Sequence, residues 1–188
     1  MAKTKITPQP LLYPYPAVLV GAKVGGKPNF MTAAWCGVAC SDPPMVSVAI
    51  RPSRYTYQGV RENMSFSINI ASSDLVNETD YCGTKRGSEV DKVDVCGFKI
   101  FYGKTETAPL IEQCPVNLDC RVMHILDLGS HALIVGRVEE TYVSDECLTE
   151  GRPDVEKIKP FAFVSGQYRA IGNVVAKGFA AGQQLKPK

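Results

Sequence analysis

The two glycine motifs that most often hold a nucleotide are missing from this chain. It contains neither G-x-G-x-x-G nor G-x-x-x-x-G-K-[ST], which disfavours a dinucleotide fold or a phosphate loop. Charge of one sign is lacking too. The 21 Lys and Arg against 19 Asp and Glu leave a formal net charge of +2, too balanced for a nucleic-acid binder. No apolar run nears the roughly 18 residues needed to cross a bilayer. The start, Met-Ala-Lys-Thr-Lys-Ile-Thr-Pro, has no apolar stretch of the kind a secretory signal needs, so a cytoplasmic protein is expected. Only two histidines are present, with no C-x-x-C pair and no metal-ligand spacing, which argues against a metal site. An odd number of cysteines cannot form a complete disulfide set; all seven read first as small buried hydrophobes. Cys36 and Cys40 are near enough to suggest a redox pair, but proximity is all that supports it. No Ser/His/Asp order and no paired carboxylates stand out, so the chain shows no acid–base machinery of its own.

What is present is mostly strand. At 188 residues with 45% hydrophobic and 21% charged residues, one soluble domain over 1–188 is expected. After an irregular arm and the breaker Pro14-Tyr15-Pro16, the apolar run Ala17–Gly21 and the stretch Asn29–Trp35 form a hairpin across Val24–Pro28. Met45–Arg51 alternates, with Val46, Val48 and Ile50 on one face. Thr56–Asn63 reads as a short helix with Thr56 as its N-cap. Ser65–Ile70 alternates without a fault. A helix is expected from Ser72 to Tyr81, then a polar loop, Cys82–Ser88, and a short helix over Glu89–Val93. Residues 97–115 look irregular or weakly stranded. Val116–Leu126 and His131–Val143 form a long hairpin, and Phe161–Ser165 is a last strand before an exit at Gly166. Many strands with few short helices indicate an all-β barrel or sandwich, and no internal repeat is seen.

The stretch Pro28–Thr56 carries the chemistry. Small side chains over Met31–Ala34 let a flat ligand approach the backbone closely. At the other end, Arg51, Ser53, Arg54 and Thr56 bring cations and hydroxyls to a helix start, where free N–H groups and the dipole favour an anion. A planar heterocycle with a phosphate at its far end fits, and flavin mononucleotide (FMN) has that shape.

Asn29-x-Met31-Thr32-x-x-Trp35, Pro43-Pro44, Arg51-x-Ser53-x-x-Thr56, Phe66-x-Ile68-Asn69 and Asp91-Lys92 follow one another in an order and spacing that resembles the flavin reductase-like family of FMN-binding split barrels, its flavoredoxin-like members above all. The resemblance runs from Pro14 to about Ala176. It implies an FMN-binding split barrel of Greek-key topology, homodimeric, with FMN near the subunit interface and the late hairpin and tail as natural donors to the neighbouring pocket. For the phosphate it implies Ser53, Thr56 and Lys92, with Arg51 and Arg54 alongside; solvated surface charge is the ordinary reading of the arginines. For the ring the candidates are Asn29, Met31, Thr32, Ala33, Ala34 and Trp35, though a lone Trp is equally a core or interface anchor. Cys82 and Gly83, where the polar loop begins, complete the pocket set. His131 is drawn toward the flavin only by the resemblance, since a lone histidine is more often structural, as His124 is read to be. Phe163 can cover the open ring face, but an aromatic on an apolar strand is core by default.

The function implied is electron transfer through bound FMN, with a redox partner protein or NAD(P)H as donor or acceptor. Two alternatives stand: an NAD(P)H:flavin oxidoreductase that uses FMN as a substrate, and a non-catalytic flavin-binding sensor. A barrel without any cofactor is a third.

Overall fold

Alternating strands dominate the chain, and seven of them assemble into one antiparallel sheet. A computed structural model describes residues 1–183 and 185. After an exposed N-terminal arm come β1 (Tyr15–Pro16), β2 (Val18–Val24), β3 (Lys27–Ala33), β4 (Cys36–Ser41) and β5 (Pro44–Ile50). Helix α1 (Tyr55–Asn63) follows, then β6 (Ser65–Ile70), a 3-10 turn at Ser73–Leu75, α2 (Val76–Thr84) and α3 (Lys92–Val95). Next are β7 (Ile100–Tyr102), β8 (Pro109–Ile111), and the long pair β9 (Val116–Asp127) and β10 (Ala132–Val143). Last come β11 (Leu148–Thr149), β12 (Arg152–Pro153), α4 (Val155–Ile158), β13 (Phe161–Val164) and β14 (Gln167–Ala170).

The large sheet runs β3-β2-β6-β9-β10-β5-β4. Its edge strands, β3 and β4, stand furthest apart in this order, yet only Ala34 and Trp35 join them. A flat sheet would separate them by about 29 Å at the usual strand spacing. Three peptide steps reach only about 11 Å. The sheet therefore curls until its edges approach, and β3 touches β5 across the gap. The Ala49 N–H donates to the Trp35 carbonyl at 2.8 Å, pinning the seam without closing it as a ladder. The result is a split barrel.

Two cores flank β2. Inside the barrel, Val18, Val20 and Ala22 meet Val46, Val48 and Ile50 of β5, with Phe66, Ile68, Val122 and Ile134. On the other face, Leu19 and Phe30 pack with Ala71, Cys82, Phe98, Ile111 and Phe161. Burial on both sides explains why this strand is a continuous apolar run and not an alternating one. A buried amide knot ties the β7–β8 hairpin to the barrel. Asn69 Nδ2 donates to the Leu19 carbonyl at 3.1 Å, while its Oδ1 accepts from the Ile111 N–H at 3.0 Å and Asn117 Nδ2 at 2.8 Å.

Several sequence expectations are corrected. Thr56 does not cap α1: Arg54 holds the cap position in extended conformation, and no side chain caps the helix. The 97–115 stretch is weakly stranded, as expected, with a β7–β8 hairpin of three-residue strands. Gly166 is a turn into β14 and not an exit, and the supposed breaker Tyr15–Pro16 pairs with Phe163 and Ala162. Strand β4 gave no alternation because it is an edge strand, largely exposed. Helix α2 runs on to Thr84, so Cys82 and Gly83 are helical, and α3 begins only at Lys92. All seven cysteines are free, four of them buried.

Helix α1 lies so close to β2 that a Cβ at Gly59 would sit 2.0 Å from the Lys23 carbonyl oxygen. Asn63 Nδ2 donates to that same oxygen at 2.8 Å. Gly59→Ala is thus expected to cost about 1–3 kcal/mol by forcing helix and strand apart. Gly37→Ala, where a Cβ meets nothing within 4 Å, should stay within about 0.5 kcal/mol of the parent. Urea unfolding of both variants decides it; equal midpoints would mean that α1 is not docked this tightly.

Candidate functional site

The seam of the barrel opens onto a trough. One part, about 380 Å³, is lined by Asn29, Met31 and Thr32 of β3, by Ser53–Thr56 and Gln58 at α1, by Cys82 and Gly83 of α2, and by Lys85–Ser88 and Lys92. A shallower part, about 170 Å³, is lined by Met31–Trp35, Ala49, Arg51, Arg54 and His131. Met31, Thr32 and Arg54 belong to both, so the two parts are continuous. Every residue nominated from the sequence except Phe163 lines one or the other. Phe163 lies opposite Tyr15 on β13 and packs against the second core, its ring centroid 5.4 Å from that of Tyr168. His124 is exposed on β9 and lines neither part.

The larger part gathers hydrogen-bond donors and basic side chains. Asn29 Nδ2 donates to Thr56 Oγ1 at 2.7 Å, and both residues are buried. Because that hydroxyl accepts from Asn29, its own proton is free for an acceptor in the trough. The start of α1 has no side-chain cap; the Tyr57 N–H bonds the Arg54 carbonyl at 3.0 Å, and the N–H groups before it are open to an acceptor. Lys92 is only 4% exposed. Its ammonium donates to the carbonyls of Phe30 at 2.9 Å and Cys82 at 2.7 Å, which leaves one of its three protons for the space it lines. Burial lowers the Lys92 pKa from the usual lysine value. The two carbonyl bonds also make Lys92 a pin between the free edge of β3 and the end of α2.

The shallower part sets three alanines among large side chains. Ala33 and Ala34 put little beyond backbone on its floor, and the Thr32 hydroxyl is committed to the Thr79 carbonyl. Trp35 is 42% exposed, its ring 4.7 Å from that of His131 and tilted 36° to it. Partial burial lowers the His131 pKa below the ordinary value, with Arg51 and Arg54 adding to the effect. At neutral pH the imidazole is uncharged, and its Nδ1 is bonded to Ser130 Oγ at 2.9 Å.

No nucleophile or metal centre appears here. Burial raises the thiols of Cys82 and Cys36, the latter to about 11, so neither is a thiolate at neutral pH. Among the described residues, no group of His, Cys, Asp and Glu is arranged to hold a metal. Sequence reading missed Tyr55, Gln58 and the Lys85–Ser88 loop as lining. The loop's two basic residues and glycine were visible, but nothing local reveals that Gly87 packs on Asn29. A Cβ at Gly87 would stand 1.9 Å from Asn29 Oδ1.

Comparisons with known proteins bear on the site. A family model for the flavin reductase like domain matches residues 11–172. Flavoredoxin from Methanosarcina acetivorans superposes with a TM-score of 0.93 at 36% identity, over 97% of this chain and 98% of that one. Flavoredoxin of Desulfovibrio vulgaris (Miyazaki F) gives 0.89 at 34% identity, over 97% and 100%. An FMN-binding protein from Thermus thermophilus gives 0.79 at 26% identity, over 94% and 99%.

The charges facing His131 make a direct test possible. Its imidazole should titrate below the ordinary histidine value of about 6.5, read by NMR. A depressed pKa means that its contribution to stability is present above that value and is lost as pH falls through the folded pKa. Arg51→Ala should move the midpoint upward; a midpoint unmoved by that change would remove Arg51 from the ring end.

Proposed function

The chain belongs to the flavin reductase-like family, and from that premise we propose that it binds FMN in this trough and serves as a flavoredoxin-like electron carrier. The observation that carries the reading is the meeting of two unlike surfaces in one cleft. The end of β3 and the Ala34–Trp35 link adjoin a corner where the Thr56 hydroxyl, the uncapped start of α1 and Lys92 all present donors. That corner fits a phosphate, which carries up to two negative charges and accepts through three oxygens. The shallower part fits a three-ring heterocycle. Bound FMN would supply the redox chemistry, since flavins exchange electrons singly or in pairs.

The chain's own residues hold and orient the cofactor. Asn29 aims the Thr56 donor, Arg54 borders both parts of the trough, and Trp35 with neutral His131 forms an aromatic wall at the ring end. The ring end is also where apolar surface stands open: Trp35 in the link, Val38 on β4, and Met123, Leu126 and Leu128 in the β9–β10 hairpin are exposed. A second copy of the chain laid against this surface would shield the ring, so a homodimer is part of the proposal. The same openness favours one other reading, in which a nicotinamide reaches the ring and the protein is an NAD(P)H:flavin oxidoreductase.

Stopped-flow reduction of the FMN-loaded protein separates the two. A carrier should be bleached faster by a reduced iron–sulfur protein than by NADH or NADPH, and should keep its flavin through desalting. Rapid bleaching by a pyridine nucleotide with loss of flavin on each turnover would establish the oxidoreductase. Thr56→Val removes the donor while nearly keeping shape, and should weaken FMN binding by about 1–3 kcal/mol. Unchanged affinity would sink the phosphate assignment. Trp35→Ala should shift the flavin fluorescence or potential; a change in oligomeric state alone would make Trp35 an interface residue only.

A further inference from the structure

Two thiols meet behind the loop that walls the larger part of the trough. Lys92 opens α3, and the Cys96 N–H bonds the Lys92 carbonyl at 3.1 Å, so the two side chains lie one turn apart on one helix face. The Lys92 ammonium reaches across to α2 and donates to the Cys82 carbonyl at 2.7 Å. The same face therefore carries Cys96 to Cys82, and the two thiols are hydrogen-bonded to each other. Both belong to the second core, where Cys82 is 1% exposed and Cys96 is half-buried. Cys114 lies in that core as well.

The chain between Cys82 and Cys96 is the wall itself. It carries Gly83, the Lys85–Ser88 loop and Lys92, all of which line the trough. The loop's own bonds are local. The Lys85 N–H bonds the Tyr81 carbonyl at 3.0 Å, and the N–H groups of Glu89 and Val90 bond the Arg86 carbonyl at 3.1 and 3.2 Å. Arg86 and Glu89 form a loose, exposed ion pair at 3.9 Å. A covalent bond between the two sulfurs would close this wall into a ring. Such a ring removes conformations from the segment and leaves a bound ligand less ordering to impose. Burial raises both thiols, so they stay protonated at neutral pH and oxidise slowly.

We propose that Cys82 and Cys96 are a disulfide site that responds to a hydroperoxide and fixes the wall of the trough. The half-buried Cys96 sulfur attacks the peroxide O–O bond, becoming a sulfenic acid and releasing an alcohol, or water where the oxidant is hydrogen peroxide. The Cys82 sulfur then displaces the sulfenic hydroxyl, which leaves as water with the Cys82 proton while the S–S bond forms. Two electrons pass from the sulfurs to the peroxide, and a dithiol returns them. The effect on flavin exchange rests on the placement of FMN proposed above; the disulfide itself does not.

Trypsin digestion and mass spectrometry read the bond directly. Cutting after Lys and Arg places Cys82 in the peptide Glu62–Lys85 and Cys96 in Val93–Lys99, each with no other cysteine. After treatment with hydrogen peroxide and alkylation of the remaining thiols, the two peptides should be recovered as one linked species that dithiothreitol separates. Cys96→Ser should abolish that species, and Cys114→Ser should keep it. With FMN bound, the oxidised protein should release it at least roughly fivefold more slowly than the reduced protein. Cys96→Ser should release it at one rate with or without peroxide. Recovery of the two peptides unlinked, or linked instead to the one that carries Cys114, overturns the proposal, as does equal release by the oxidised and reduced forms. A chain that binds no FMN in either form overturns the carrier reading, and the linked peptides still decide the disulfide site.

Discussion

A two-residue link governs this molecule. Ala34 and Trp35 connect strands that lie at opposite ends of a seven-strand order, and so short a bridge requires a rolled sheet. Rolling brings the edges together without pairing them, so the closure is left as a cleft. The cleft is where β3 ends without a ladder partner on its outer side, and such an edge is where a ligand can meet backbone. Site and fold therefore have one origin: the bridge that forces the curl also forms the floor of the trough.

The second element is α1, held against β2 by the missing side chain at Gly59 and the amide of Asn63. Its position sets its N-terminus against β3, where Asn29 meets Thr56. Lys92 reaches the same strand from the opposite side and ties its free edge to α2. Three segments distant in sequence thus converge on one strand edge. The donors they present belong to a rigid frame, which limits the ordering that a bound anion would otherwise have to impose.

Much of this was legible in the chain itself. Met45–Arg51, Ser65–Ile70 and the long hairpin declared themselves by alternation, because one face of each is core and the side-chain period is two. The candidate residues from Asn29 to Thr56 line one trough, because they are near neighbours in sequence and the strand–turn–strand–helix path keeps them so. Failures came where the local signal was weak or double. Thr56 carries a residue type that suits a cap, but its hydroxyl is engaged by Asn29, a partner 27 residues away, and Arg54 takes the cap position. Strand β4 has no buried face to imprint a period.

Sequence alone determined that this is a β protein of the flavin reductase-like kind with small residues beside a hydroxyl-rich helix start, since side-chain pattern and turn chemistry act over a few residues. Tertiary structure alone decided that Lys85–Ser88 and Tyr55 wall the trough, that Phe163 belongs to the second core, and that Lys92 spends two protons on backbone carbonyls before any ligand arrives. Those outcomes depend on how far the sheet rolls and which segments it carries into contact. No window of the chain contains that information, because the contacts join residues whose separation in sequence has no bearing on their distance in space.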